Sequence, residues 1–246
     1  MVGLIAQLVD GALGMAYGVT STSALISVGV YPALASANVH TAEIFTTLFS
    51  GASHVRIGNV RRDIVLPLVM LGVPGGIIGA YLSTTMPAGP VKIIVSGILL
   101  TLGLFILFKF VFRRKLHFKT DKPHPTFLRA LGFVAALIDA LGGGGWGPIA
   151  TTTLVVNNCE PSKAVGSVNT AEFFITVTIT LAFIIFLGPG NFHWEIILGL
   201  VIGGLIATPL AAVACKKLPH RTLGILTGIV IITLSARTLL IAFGLL

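Results

Sequence analysis

The chain has 246 residues, 55% of them hydrophobic and 10% charged, with a formal net charge of +8. Soluble domains carry about 25% charged residues, so 16 Lys+Arg and 8 Asp+Glu cannot clothe a water-facing surface of this size. A soluble enzyme, a disordered chain and a nucleic-acid binder are excluded, the last because the basic residues sit in short loops between apolar runs; a mean hydropathy of +1.00 leaves an all-α polytopic membrane protein.

The first apolar run, 2–30, lacks a basic leader and carries Gln7 and Asp10, so it reads as part of the folded domain rather than as a cleaved signal. Gly11, Gly14 and Gly18 interrupt it. Runs at 36–57, 64–84 and 90–112 follow, each long enough to cross about 30 Å of hydrocarbon. Residues 113–129 form a basic connector holding Arg113, Arg114, Lys115, Lys119, Lys122 and Arg129. The next run, 131–157, is interrupted by Gly142-Gly143-Gly144-Gly145-Trp146-Gly147-Pro148, and runs at 164–187, 194–214 and 221–244 complete the chain. Each glycine weakens a helix interior by ~1 kcal/mol, so four in a row end one, and Pro148 suits the first turn of the next. Cys159 and Cys215 stand alone and read as free structural thiols; no metal-ligand, nucleophile or cofactor pattern is present, so neither a metal, a cofactor nor an enzymatic activity is expected.

The chain repeats itself. Shifted by 129 positions, it aligns without a gap from Gly3 to Thr47: Asp10 meets Asp139, Gly18 meets Gly147, Thr22 meets Thr151, Pro32 meets Pro161, and Thr41-Ala42-Glu43 meets Thr170-Ala171-Glu172. Matched Asp, Gly, Pro and Thr-Ala-Glu do not arise from apolar composition alone, so residues 1–112 and 130–246 read as two homologous repeats of one transmembrane domain.

Lys and Arg concentrate on the cytoplasmic side of a membrane. In the first half the basic loop, with Arg56, Arg61 and Arg62, follows run 36–57, whereas the next loop holds only Lys92. In the second half the loop 188–193 holds no Lys or Arg, and the following one holds Lys216, Lys217 and Arg221. If the two broken runs are re-entrant hairpins, with arms of about 12 residues or ~18 Å, every basic cluster falls inside and the halves are inverted. The expectation is three spans plus one hairpin per half, with eight parallel-repeat spans as the alternative.

Inverted repeats with broken helices point to a secondary transporter whose site lies where the half-helices meet. Each hairpin tip leads into hydroxyls: Tyr17, Gly18, Thr20, Ser21 and Thr22 in the first, Trp146, Gly147, Thr151 and Thr152 in the second. Helix-start N–H groups, glycine and hydroxyls together can cradle a small oxyanion; close helix packing is the other reading of the glycines. After each hairpin, His40, Thr41 and Glu43, matched by Asn169, Thr170 and Glu172, lie along a helix. A carboxylate inside a span is costly and marks coupling or gating, unless it only stabilises a helix start. Asp10 and Asp139, just before each break, are candidates for coupling or for binding the N–H groups of the return arm. Arg237 reads as a snorkelling residue.

These residues carry a resemblance. The stretch from Gln7 to Ser23, with Asp10, Tyr17 and Gly18, then Ala37-Asn38-Val39-His40-Thr41-Ala42-Glu43, then Arg56-Ile57-Gly58-Asn59-Val60, and the second-half Gly-Gly-Gly-Gly-Trp-Gly-Pro, together resemble the TauE/SafE sulfite exporter family over nearly the whole chain. The resemblance implies a bacterial inner-membrane permease of sulfite, organosulfonates or related small anions, with the lipid bilayer as its surroundings. Members described with seven or eight spans stand against the re-entrant arrangement. The motif positions it carries over are Asp10, Tyr17, Gly18, His40, Thr41 and Glu43, with Asp139, Trp146, Gly147, Asn169, Thr170 and Glu172 in the repeat. An anion channel and a permease for short carboxylates are the alternatives.

Overall fold

In the computed structural model, described over residues 2–13, 15–112, 123–157, 159–217 and 220–245, each glycine-broken run is a pair of helical arms. The first pair is α1 (Val2–Leu13) and α2 (Tyr17–Ser27), and the second is α6 (Pro125–Gly142) and a π-helical turn (Gly147–Thr151) continuous with α7 (Thr152–Val156). Between and after them lie α3 (Pro32–Arg56), α4 (Arg62–Thr85), α5 (Ala88–Val111), α8 (Pro161–Leu187), α9 (Trp194–Lys217) and α10 (His220–Ala242). The break residue Gly14, connector residues 113–122 and the side chains of Cys215, Lys216, Lys217 and Arg221 lie outside the described residues.

Local chemistry sets the boundaries. Gly143 ends α6 at φ 65°, and its N–H and that of Gly144 (φ 157°) both return to the carbonyl of Asp139, a helix stop that a side-chain-bearing residue adopts only under strain. The first break turns instead at Ala16, held at φ 94°, a conformation that costs a non-glycine residue ~1–3 kcal/mol. Pro32, Pro125 and Pro161 open α3, α6 and α8, where the missing N–H had no helical partner in any case. The second hairpin therefore differs from the expected one. Its entry arm starts at Pro125, takes Arg129 from the connector, and has 18 residues rather than about 12.

Four helices among the described residues, α4, α5, α6 and α8, are long and apolar enough to cross a membrane, and the described parts of α9 and α10 add shorter apolar stretches. The expected span at 36–57 lies in α3, which has the length at 25 residues but not the hydropathy. Asn38, His40, Thr41, Glu43 and Thr47 are all buried in it, because this helix faces the interior of the protein. Outward, Leu66, Met70, Phe108, Ile185, Leu198 and Ile202 are each more than half exposed, a surface suited to hydrocarbon rather than water.

The helix pairs α3 with α8 and α5 with α10 run antiparallel. Along α3 and α8, Gly51 faces the Thr170 backbone and the following loop residue Asn59 faces Gly166, while Asn38 at the other end meets His193, beyond the end of α8. Along α5 and α10, Gly103 faces Ile231 and Gly228 faces Leu107. The entry arms pack the other way: Gly3 and Leu4 of α1 face Leu200 and Gly203 of α9, and Gly132 and Leu137 of α6 face Leu68 and Gly79 of α4, in rising order. Small residues at these crossings bring backbones together where the surrounding hydrocarbon supplies no hydrophobic drive.

Candidate functional site

The two hairpins meet at their tips. The Thr22 hydroxyl on α2 donates to the carbonyl of Gly143 at 2.5 Å. A Cβ on Gly18 would lie 2.9 Å from the Cα of Gly144 and 2.9 Å from Glu43 Oε1, so the space that glycine leaves is already filled by the other tip and by a carboxylate. In this closed arrangement the glycines serve tip-to-tip packing.

Each aspartate holds its own tip. Asp139 Oδ1 accepts from the N–H of Gly145 at 2.6 Å and of Trp146 at 3.0 Å. Asp10 Oδ1 accepts from the N–H of Tyr17 at 3.4 Å. Tyr17 and Trp146 are matched positions of the two halves, so the same residue type closes the same backbone loop twice, satisfying N–H groups that a new helix leaves without partners.

Glu43 and Glu172 are each the twelfth residue of α3 and α8, some 16 Å from the helix start at 1.5 Å per residue. That removes the reading of a helix-start carboxylate. Both side chains, with Asp10 and Asp139, line one small cavity beside the tips, whose wall also includes Tyr17, Gly18, Thr46, Thr47, Gly145 and Gly147. It offers about 20 Å³ to the centre of a water molecule, room for one water rather than an oxyanion.

His40 is fully buried and joins α3 to the second hairpin. Its Nδ1 lies 2.8 Å from the Ser36 carbonyl and its Nε2 3.1 Å from Asp139 Oδ2. A carbonyl only accepts, so Nδ1 is the donor on that side, while Nε2 faces the Asp139 carboxyl. The matched Asn169 donates instead to Ser50 Oγ at 2.9 Å. His40 and Asn169, aligned by the 129-residue shift, thus make different contacts.

Several other expected residues lie near the site with their polar atoms already bonded, and others are buried without a partner among the described residues. Tyr17 lines the cavity, but its hydroxyl donates to the Leu200 carbonyl at 3.1 Å. Trp146 is fully buried and donates Nε1–H to Val168 at 3.2 Å. The hydroxyls of Thr41 and Thr170 return to their own helices, at Ala37 and Gly166. Thr20, Ser21 and Thr151 are buried with hydroxyls that find no partner among the described residues. Arg237 does not snorkel freely: Nη1 donates to the Ser27 carbonyl at the end of α2, at 2.5 Å.

One residue at the hairpins had no place in the sequence reading. Lys109, near the end of α5, donates from Nζ to Thr152 Oγ1 at 3.1 Å and lies 3.7 Å from Met15 Sδ. A single basic residue at the end of an apolar run looks like a snorkelling anchor; only the packing of α5 onto the hairpins separates it from one.

A buried meeting of two broken helices is the arrangement that secondary transporters use. The comparisons agree. The profile described as Sulfite exporter TauE/SafE matches residues 1–238. The chain is 43% identical over 244 residues to the probable membrane transporter protein YtnM of Bacillus subtilis (strain 168), covering 97% of this chain and 81% of that protein. It is 23% identical over 260 residues to the probable membrane transporter protein YunE of the same organism, covering 96% and 94%. No solved structure matches it. The chain is therefore a multi-pass membrane transporter and belongs to the TauE/SafE sulfite exporter family.

Proposed function

We propose that the protein is a secondary transporter of a small oxyanion, sulfite or an organosulfonate by family, working by alternating access between two inverted repeats, 1–112 and 130–246. The observation that carries the reading is the junction of the hairpin tips, closed by Thr22 on Gly143. In inverted-repeat transporters the site lies where broken helices meet, and the two halves rock about it.

The helix directions support inversion. The opposite running of α3 against α8 and of α5 against α10 follows when each half crosses the membrane an odd number of times. A single crossing by each broken run would make four per half and leave the halves parallel. At ~18 Å, α1 is too short to cross, and so is the ten-residue return arm 147–156. On this reading both runs turn back, although α6 alone has the length to cross, and each half contributes three spans and one hairpin.

On this reading the tips part to admit the anion, which takes up the N–H groups and hydroxyls at Gly18, Thr20, Ser21 and Thr22 and at Gly147, Thr151 and Thr152. Asp10 and Asp139 hold the tips. Glu43 and Glu172 couple their movement to protons, since four carboxylates around one small cavity would repel an anion unless protons enter with it. The test is uptake into proteoliposomes of sulfite, sulfate, thiosulfate, taurine, sulfoacetate and short carboxylates, with and without an imposed pH gradient. Saturable, competed uptake of a sulfur oxyanion supports the reading. Uptake of none of them sinks it, and non-saturable flux indifferent to the gradient makes the protein a channel.

A further inference from the structure

We infer that His40 is a positioning residue for transport: through Asp139 it fixes the tip of the second hairpin on α3, so that this tip stays in place when the two tips part. The inference rests on the transport reading above and names which wall of the anion site stands still.

Two side chains one turn apart on α3 grip the end of α6. Ser36 Oγ donates to the carbonyl of Ala140 at 2.8 Å, and His40 Nε2 lies 3.1 Å from Asp139 Oδ2. The imidazole has little freedom to do otherwise. It is fully buried, its Nδ1 donates to the Ser36 carbonyl at 2.8 Å, and its ring centre lies 6.4 Å from that of Phe183 on α8. The grip reaches the tip through the other carboxylate oxygen. Asp139 Oδ1 takes the N–H groups of Gly145 and Trp146, so a carboxylate held at one oxygen orients with the other the backbone that turns the chain. Trp146 adds a tie to α8, from Nε1–H to the Val168 carbonyl.

The first hairpin is fastened differently. Shifted by 129 positions, Ser36 and His40 fall on Val165 and Asn169. Valine offers no polar side-chain atom, and Asn169 donates to Ser50 on α3 rather than to the first hairpin. Asp10, matched to Asp139, takes the N–H of Tyr17 at 3.4 Å, and no side chain of α8 bonds it among the described residues. The tip's own tie runs to α9, from the Tyr17 hydroxyl to the Leu200 carbonyl, against which Gly3 of α1 also packs. The side-chain bonds thus fasten one tip to α3 and α8 and the other to α9. When Thr22 leaves Gly143, the second tip remains with α3.

The experiment compares His40→Asn with His40→Gln in the full chain. The asparagine amide takes the place of Nδ1 and keeps a partner at Ser36 but is too short for Asp139; the glutamine amide takes the place of Nε2 and can donate or accept there. Sulfite uptake into proteoliposomes should show KM raised ~5-fold or more in His40→Asn, with a smaller change in maximal rate, and KM near wild type in His40→Gln. Adding Asp139→Asn to His40→Asn should raise KM by less than the product of the two single effects, because both act through one contact. A second readout needs no substrate. A single cysteine at Thr151, 1% exposed on the return arm, in a background lacking Cys159 and Cys215, should react with a small thiol reagent ~5-fold faster in His40→Asn and at the unsubstituted rate in His40→Gln. Equal effects of Asn and Gln, independent effects of His40 and Asp139, or an unchanged thiol rate in His40→Asn overturns the inference and leaves the transport reading standing. If wild type carries neither sulfite nor an organosulfonate, the transport reading fails, and the thiol rates alone decide whether His40 fixes the tip. Where His40→Asn does not insert, His40→Leu makes the same comparison.

Discussion

Thr22 and Gly143 lie 121 residues apart in the chain and share a 2.5 Å hydrogen bond that ties the return arm of one hairpin to the tip of the other. If alternating access parts the tips, this bond breaks in each cycle. Thr22→Val keeps the shape and removes the donor, at ~1 kcal/mol. The open arrangement should then be populated ~5-fold more. A cysteine at Thr46, on the cavity wall, should react with a charged thiol reagent correspondingly faster in the Thr22→Val background. An unchanged rate would mean that the tips do not move apart through this contact.

The two aspartates differ in how much they hold. Asp139 takes two backbone N–H groups and His40, whereas Asp10 takes one N–H at 3.4 Å. Asp139→Ala leaves buried donors without acceptors, a loss of ~2–5 kcal/mol; Asp10→Ala should cost ~1 kcal/mol. Detergent-solubilised Asp139→Ala should melt well below Asp10→Ala. Asp139→Asn, which retains one acceptor oxygen, should fall between Asp139→Ala and wild type.

Glycine at the helix crossings is tested by pairs. A Cβ at Gly3 would sit 2.6 Å from the Leu200 carbonyl, and one at Gly79 2.5 Å from the Leu137 carbonyl, whereas at Gly89 and Gly97 nothing lies within 4 Å. Gly3→Ala and Gly79→Ala should lower the melting temperature, because backbone cannot yield as a side chain can. Gly89→Ala and Gly97→Ala should leave it unchanged or raise it slightly.

Much of this was legible in the chain. Glycine and aspartate in register announced two hairpins, and the same register matched Tyr17 with Trp146, whose N–H groups the aspartates accept. Helix starts were less legible. Apolar runs place the third and eighth helices at 36 and 164, but they begin at Pro32 and Pro161; in the eighth, a first turn of Pro, Ser and Lys is helical without being apolar. The long-range contacts were not legible at all. Whether Tyr17 offers its hydroxyl to a ligand or to Leu200, 183 residues away, depends on packing that no local pattern encodes. Lys109 was hidden for the same reason.

Topology has a direct check. Ile57, 72% exposed, follows α3, and Gly190, with nothing near its absent Cβ, lies in the loop after α8. Single cysteines at Ile57 and Gly190, in a background lacking Cys159 and Cys215, should label from opposite faces of the membrane if the halves are inverted. Labelling of both from one face would restore the parallel arrangement.

Coupling is tested at Glu43. Its side chain is 4% exposed and its Oε1 packs against Gly18 at the closed tips, so a change in its charge acts directly on the groups that must separate. A divalent anion leaving a cell with a negative interior is already driven by ~2.3 kcal/mol per charge per 100 mV. Export can therefore run without protons, whereas uptake cannot. If Glu43 carries the proton, Glu43→Gln fixes the neutral form. Uptake driven by an imposed pH gradient should then disappear, while exchange of labelled for unlabelled substrate across the membrane continues. If Glu43 only packs the tip, the amide keeps the volume and the pH dependence stays as in wild type. Glu172→Gln, on the matched helix and the same cavity, tells whether one carboxylate suffices: loss of gradient-driven uptake in both variants makes the pair the proton carrier, and loss in Glu43→Gln alone assigns it to the half that also holds His40. Counterflow and pH-jump uptake in proteoliposomes separate these outcomes, and an unchanged pH profile in both variants rejects the carrier role.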